Sequence, residues 1–348
     1  MISEHKTCWS SPSNIAIIKY WGKYGNQLPM NPSLSFTLDF CRTTTTIDWS
    51  PVRLENGGFE FYYDGKRKPE FETKLNDFFI KIKKVYPLFG EIQLKINSVN
   101  NFPHSAGIAS SASAMSALSC CLTDIYSELN SNFKIGSIDF WRMASSLSRL
   151  GSGSACRSVY PEAASWGKFD FVKGADDHFA SPCQQFLDPL FQHLNDWILI
   201  VKGSEKSVSS SLGHQLMENH HYRQGRIAQA HQNINHLILA LQSGDWEKFA
   251  EISEEEALSL HGLMMSSQPG YILLEPQSLQ LIQIIREARK ALGIPVCFTI
   301  DAGPNIHMLF PDRAYSQVSQ WASEHLMGLL SPESIIKDNS GKGPLKIS

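Results

Sequence analysis

The sequence predicts an α+β chain, with strands and Gly/Ser-rich loops in its first half and longer helices in its second. Three observations lead there. Ile92, Leu94 and Ile96 alternate with polar residues, the period of a half-buried strand. Leu75, Phe78, Phe79, Ile82 and Tyr86 recur at helical spacing. Three long helical stretches then follow one another, and two short apolar runs come after them.

In chain order, Phe59–Tyr63 reads as a strand entering the turn Asp64-Gly65. Glu72–Tyr86 is an amphipathic helix with Lys81, Lys83 and Lys84 on its solvated face. The strand through Ile92–Ile96 leads into a Gly/Ser loop and then a helix over roughly Ala112–Leu129. A second Ser/Gly-rich loop begins at Gly151, and Trp197–Val201 has the length of a buried strand. Arg223–Leu241 and Trp246–Leu263 are helices separated by Ser243-Gly244-Asp245. Glu275–Leu292 is a third, ended by Gly293 and Pro295. Val296–Ile300 and Ile306–Phe310 are strands joined by Asp301-Ala-Gly-Pro-Asn305. A boundary near Phe186–Asn195 divides the chain into domains over 1–190 and 191–348.

At 348 residues there is room for two cores. A formal net charge of -3 gives no basic excess, which argues against a nucleic-acid partner. The cysteines (Cys8, Cys41, Cys120, Cys121, Cys156, Cys183 and Cys297) show no C-x-x-C pair, so reduced thiols in the cytoplasm are expected. Met1–Asn14 is polar and lacks the apolar stretch of a signal peptide. No window approaches the roughly 18 apolar residues of a membrane span.

Four segments carry chemistry. Pro103-His-Ser105-Ala106-Gly107-Ile-Ala109-Ser110-Ser111-Ala112 lies between a strand and an apolar helix. Small residues let the backbone approach a ligand, and the unpaired N–H groups of a helix start favour an anion. Ser110 and Ser111 add hydroxyls for phosphate or a metal ion. The segment is either a phosphate cradle or a Ser-rich helix cap; it has no Gly-Lys-Ser/Thr of a Walker loop. Gly151-Ser152-Gly153-Ser154-Ala155-Cys156-Arg157-Ser158 sets one arginine among small residues. It reads as an anion site or as a mobile loop with a surface arginine. In Asn14-Ile-Ala-Ile-Ile-Lys19-Tyr20-Trp21-Gly22-Lys23, two lysines flank an aromatic pair beside an apolar run. They are desolvated cations facing an anion, or a solvated strand edge. Asp301-Ala-Gly303-Pro304-Asn305 reads as a structural turn or as a functional aspartate. His214, His220, His221, His231 and His236 lack the spacing of a helical zinc site and are expected on a solvated face.

Together, in order and over most of the chain, these four segments resemble the mevalonate diphosphate decarboxylase family of the GHMP kinase superfamily. The resemblance implies an N-terminal ribosomal-protein-S5-like α/β domain and a C-terminal ferredoxin-like domain, with the active site in the cleft between them. It implies ATP-dependent decarboxylation of mevalonate 5-diphosphate, with ATP and Mg²⁺, in a cytoplasmic homodimer. Asp301 would serve the substrate's 3-hydroxyl, Lys19 would tune Asp301, and Arg157 would hold the substrate carboxylate. Tyr20, Trp21, Gly22, Lys23, Ser152, Gly153, Ser154, Ala155, Cys156, Ser210 and Ser211 would line the substrate site. Pro103, Ser105, Ala106, Gly107, Ala109, Ser110, Ser111 and Lys206 would bind nucleotide phosphates, with Ser110 also on the metal. His104-Ser105 depart from the family's Thr-Ala. A mevalonate 5-phosphate decarboxylase, a kinase stopping at the 3-phosphate and a non-catalytic binder are the alternatives. Lys19 and Asp301 together weigh against the kinase.

Overall fold

A computed structural model describes residues 5–51, 58–103, 108–201 and 208–348. The first half holds β1 (His5–Ile18), the hairpin β2 (Lys23–Tyr24) and β3 (Leu28–Pro29), and the long β4 (Ser33–Pro51). It continues with β5 (Phe59–Tyr63), β6 (Lys66–Arg67), α1 (Pro69–Val85), β7 (Ile92–Asn100), α2 (Ser110–Leu129), α3 (Ile138–Gly151), β8 (Ala163–Trp166) and β9 (Ala180–Pro182). The second half holds α4 (Pro189–Gln192), β10 (Leu194–Leu199), α5 (Ser210–Leu216), α6 (Arg223–Ser243), α7 (Trp246–Met265), α8 (Pro276–Leu292), β11 (Cys297–Thr299), β12 (Ile306–Pro311), α9 (Tyr315–His325), β13 (Ile335–Asn339) and β14 (Leu345–Lys346).

The strands are where β-branched and alternating residues put them. Thr43–Ile47 suits the pleat of β4, and β7 buries Ile92, Leu94 and Ile96 while turning Gln93 and Lys95 outward. The turn after β5 places Asp64 and Gly65 both at positive φ, which lets β6 fold straight back. Around β1 and β4 the first sheet runs β14-β1-β4-β7-β5-β6, with β8 and β9 added on β4. Leu75, Phe78, Phe79 and Ile82 of α1 enter one core with Ile47, Ile92, Leu94 and Ile96 beneath it.

The second sheet has the order β11-β12-β10-β13, with every pairing antiparallel. Helices connect β10 to β11 and β12 to β13, so the half is a split βαβ arrangement of the ferredoxin-like type. Its helices carry clear end signals. Pro276 opens α8 behind a Glu275/Ser278 capping box, and Gly293 closes it at φ 65°.

Several expectations shift. Residues after Gly151 do not form an open loop; Gly153–Val159 is a buried 3-10 turn. Before it lies α3, which the sequence reading did not anticipate. Phe140, Met143, Ala144 and Leu147 make its apolar stripe, but Ser145 and Ser148 are buried beside them and disguise it. Ser145 Oγ donates to the Cys156 carbonyl at 2.9 Å, which satisfies it in the interior. The helix expected from Ala112 starts at Ser110. Also unanticipated were α9 and β13.

The two sheets share a core. Ile15, Ile17, Phe36 and Leu38 of the first pack with Ile198, Leu309, Leu237 and Phe249 of the second half. Asp338 of β13 reinforces the join by accepting the N–H groups of Asp39, Phe40 and Cys41 at 2.8–2.9 Å. Among the described residues no helix is long and apolar enough to cross a membrane. Phe249 has no exposed surface and its ring meets those of Phe36 and Phe191. Phe249→Ala is therefore expected to lower unfolding stability by about 3–5 kcal/mol. Urea unfolding followed by circular dichroism measures this; a loss under about 1 kcal/mol would show that the site repacks without a cavity.

Candidate active site

Lys19 lies one residue beyond the end of β1, on a stretch buried from Thr7 onward. Its side chain is 1% exposed, while that of Asp301, just past β11, is 26% exposed. Lys19 Nζ donates to Asp301 Oδ1 at 2.8 Å and to the Ala16 carbonyl at 2.6 Å. A solvent-reachable carboxylate is thus held by a cation that solvent does not reach. Burial lowers the pKa of Lys19, Asp301 and Glu256 pull it back up, and Arg157 adds to the lowering.

Arg157 is 1% exposed. Nε donates to Ser35 Oγ at 2.8 Å, Nη1 to Ser33 Oγ at 2.6 Å and Nη2 to Asn14 Oδ1 at 3.5 Å. All three partners are neutral. Among the described residues no carboxylate forms an ion pair with it, and a buried guanidinium with neutral partners only keeps its full charge. Burial lowers its pKa; Cys156 and Asp301 oppose that. Asn14 ties the region together, donating also to Ser158 Oγ at 2.7 Å and the Ser154 carbonyl at 3.1 Å.

The aromatic pair follows Lys19. The Tyr20 ring lies tilted against Trp166 at 4.7 Å and His214 at 4.4 Å, and Trp21 meets His214 at 4.7 Å. A Cβ at Gly153 would sit 2.8 Å from the Tyr20 ring, and one at Gly213 would sit 2.6 Å from Trp21. Glycine is required at both places by close approach. Gly22, at φ 91°, donates its N–H to His214 Nδ1 at 2.9 Å. Lys23 opens β2 and donates to Gln27 Oε1 at 2.6 Å; burial and Lys81 lower its pKa.

The start of α2 reaches the same place. Ala109 takes a left-handed conformation at φ 44° immediately before Ser110. Ser13 of β1 donates to the Ile108 carbonyl and holds this approach against the first sheet. Ser111 Oγ lies 3.2 Å from Ser152 Oγ. One chain of contacts therefore joins α2 to Ser152, Gly153 to Tyr20, Lys19 to Asp301, and His214 of α5 to Gly22. Ser210 and Ser211 head that same α5.

Known proteins match this arrangement along most of the chain. Residues 11–177 match the diphosphomevalonate decarboxylase-like N-terminal domain. Residues 197–343 match the mevalonate 5-diphosphate decarboxylase C-terminal domain. The zebrafish (Danio rerio) diphosphomevalonate decarboxylase is 31% identical over 321 residues, covering 87% of this chain and 75% of the relative. The chain belongs to the diphosphomevalonate decarboxylase family. A solved structure described as MDDEF in complex with MVAPP, AMPPCP and magnesium superposes with a TM-score of 0.81 at 30% identity, covering 99% of this chain and 100% of that one. The family's Staphylococcus aureus enzyme gives a TM-score of 0.83 at 27% identity, with 99% of each chain covered. The fold is accordingly the GHMP kinase type.

Of the residues expected from the family resemblance, Ser105, Ala106, Gly107 and Lys206 lie outside the described residues. Pro103 is exposed at the edge of that stretch. Ala155 and Cys156 are fully buried, as Arg157 next to them nearly is. Cys156 Sγ donates to the Gly153 carbonyl, and burial pushes its thiol up to about 12.

The histidines need correction. His214 and His220 do not lie on a solvated face: His214 is clasped by Tyr20 and Trp21, and buried His220 donates from Nε2 to the Leu263 carbonyl. Sequence reasoning also passed over Asn14 as a ligand organiser, Ser33 and Ser35, and the buried Glu256–Arg226 pair. Serines in a strand carry no signal until the arginine opposite them is known.

Because His214 Nδ1 accepts from Gly22, the neutral ring carries its proton on Nε2. Burial, with the Lys23 ammonium adding to it, holds its pKa down at about 3 against a usual 6.5. Between these values the unfolded chain binds the proton and the folded chain does not, so stability falls as pH drops below about 6.5. His214→Gln is expected to flatten that fall by about one proton between pH 6 and 4. Urea unfolding of both proteins across that range measures it; equal slopes would mean that His214 titrates normally.

Proposed function

We propose that the chain catalyses ATP-dependent decarboxylation of (R)-mevalonate 5-diphosphate, giving isopentenyl diphosphate, CO₂, ADP and phosphate. The observation that carries the reading is the 2.8 Å bond between buried Lys19 and solvent-reachable Asp301, beside an Arg157 whose partners are all neutral. It is supported by membership of the diphosphomevalonate decarboxylase family and by the MVAPP and AMPPCP complex of a relative with the same fold.

Asp301 accepts the proton of the 3-hydroxyl as that oxygen attacks the terminal phosphoryl group of ATP. Lys19 aims Asp301 through their 2.8 Å bond. Phosphoryl transfer depends mainly on positioning and charge stabilisation. The start of α2, with Ala109, Ser110 and Ser111, supplies N–H groups and hydroxyls to the phosphates, as do Ser105, Ala106 and Gly107; Lys206 adds an ammonium, and Pro103, which has no N–H to give, shapes the entry to the loop. The new 3-phosphate is a good leaving group on a tertiary carbon. As it departs, positive charge builds at C3, the C–C bond to the carboxylate breaks, and its electrons form the alkene. Arg157 orients that carboxylate until CO₂ leaves. Tyr20, Trp21, Gly22, Lys23, Ser152, Gly153, Ser154, Ser210 and Ser211 form the remaining substrate wall.

Among the described residues no group of three or more His, Cys, Asp or Glu could hold a metal ion. The hydroxyl-bearing start of α2, with Ser110 and Ser111, fits Mg²⁺, which keeps its waters and binds through nucleotide phosphates with few protein ligands. Ser110 would hold it from the start of α2, and the ion would offset phosphate charge during transfer. In this reading residues 1–190 and 191–348 are the two domains flanking the cleft, and the protein works as a cytoplasmic homodimer; analytical ultracentrifugation tests the latter.

Purified protein with ATP, Mg²⁺ and mevalonate 5-diphosphate is expected to release ADP, phosphate, CO₂ and isopentenyl diphosphate in equal amounts. Asp301→Asn should lower kcat by about 10²–10⁴-fold. ADP without CO₂ would make the protein a kinase. Turnover of mevalonate 5-phosphate alone would keep the mechanism and change the substrate.

A further inference from the structure

Lys19 sits where the β1–β4 ladder has ended; the last paired residue is Ile18 opposite Leu34. Its own N–H and carbonyl are buried and need partners from elsewhere. They find them in the second half of the chain. The N–H donates to Glu256 Oε2 at 2.9 Å, and the carbonyl accepts from Arg226 Nη2 at 2.9 Å. Asn31 Nδ2 donates to the same carbonyl at 2.9 Å.

Glu256 of α7 and Arg226 of α6 have side chains 0% and 1% exposed. They form a two-pronged pair, Nη1 to Oε1 at 2.7 Å and Nη2 to Oε2 at 2.6 Å. Asn233 Nδ2 adds a bond to Oε1 at 2.9 Å. Burying such a pair is expensive, and an apolar substitute is often as stable, so its presence asks for a reason beyond stability. The reason is on its far edge: the pair brackets both polar groups of one residue, and that residue carries the ammonium that meets Asp301. A lysine side chain has four rotatable bonds and reaches one geometry only if its base is immobile.

We infer that Glu256, held by Arg226 and Asn233, is a positioning residue that fixes the backbone of Lys19 and so sets the Lys19–Asp301 contact for catalysis. The inference rests on the reading of Lys19 and Asp301 as the proton-handling pair. It also gives Glu256 an electrostatic part. Lys19 faces Asp301 from the β11–β12 connection, Glu256 from α7, Arg226 from α6, Arg157 from the turn after α3 and, further off, the Asp196–His307 pair of β10 and β12. Removing the Glu256 charge takes away an anion that raises the pKa of Lys19, and the ammonium then loses its proton more readily.

The test compares kcat and KM across pH, and urea unfolding, for wild type, Glu256→Gln and Glu256→Asp, using ATP, Mg²⁺ and mevalonate 5-diphosphate. Both variants are expected to lose about 10–100-fold in kcat, as other outer partners of reacting groups do, with KM little changed. Glu256→Gln should also move the alkaline limb of the kcat profile down by about one pH unit, and Glu256→Asp, which keeps the charge but not the reach, should not. If Glu256→Gln does not fold, Arg226→Lys replaces it, with the same kcat loss expected. Lower stability with an unchanged kcat and pH profile would reduce the pair to a helix-to-strand fastener and overturn the inference. Asp301→Asn is run in parallel: if it stays active, the underlying reading of the site fails. If it is inactive while the Glu256 variants behave as wild type, only the inference fails.

Discussion

A lysine ammonium with almost no access to solvent is the constraint from which much of this structure follows. Left alone in an interior, such a charge would be heavily penalised. Here the Ala16 carbonyl supplies one partner from the same strand, and Asp301 supplies the counter-charge from the other sheet. The two halves of the chain cannot separate at this point without stranding Lys19. Thr299 of β11 strengthens the same junction by donating to the Ala16 carbonyl at 3.4 Å. Domain packing and the geometry of the reacting carboxylate are therefore one arrangement, and it explains why the apolar core runs continuously from β1 and β4 into α6 and α7.

Two buried arginines near Lys19 show how local partners separate structural from ligand-binding charge. Arg226 is neutralised by Glu256 through both ends of its guanidinium, and little is left over for a ligand. Arg157 is as deeply buried, but its partners are two serine hydroxyls and an amide oxygen. Neutral acceptors satisfy hydrogen bonds without cancelling charge. The contrast is in counter-ions, not in exposure, and it is what makes Arg157 rather than Arg226 the proposed holder of the substrate carboxylate.

Lys19, Arg157, Gly153 and Asp301 were singled out because four segments in order resemble one family; taken alone, each segment left a structural alternative open. What the sequence withheld is the reason behind them. Gly153 looks like a loop glycine, yet it is glycine because Tyr20 lies where a Cβ would project. Helix α3 was hidden by serines that pair inside the core. His214 looked solvated because its neighbours His220 and His221 and its polar surroundings are typical of a surface, whereas its ring partners come from Tyr20 and Trp21 nearly two hundred residues earlier. Glu254, Glu255 and Glu256 are three consecutive acidic residues that the sequence reading did not single out. At about 100° per residue they face three directions, and only Glu255 is exposed.

The same partners of Arg157 bear on how a carboxylate can be held and then released. A guanidinium has five N–H donors in a fixed fork. Ser35 and Ser33 engage two of them closely, and Asn14 a third at the longer distance of 3.5 Å. The donors left over allow a short-range grip on an incoming carboxylate, while the serines keep the fork from turning to wrap it fully. A tighter cage would stabilise the carboxylate in the ground state and oppose its conversion to neutral CO₂, since binding that is stronger before the transition state than within it slows the step. In the proposed reaction, partial occupation of Arg157 by neutral oxygens would thus reconcile orientation with departure.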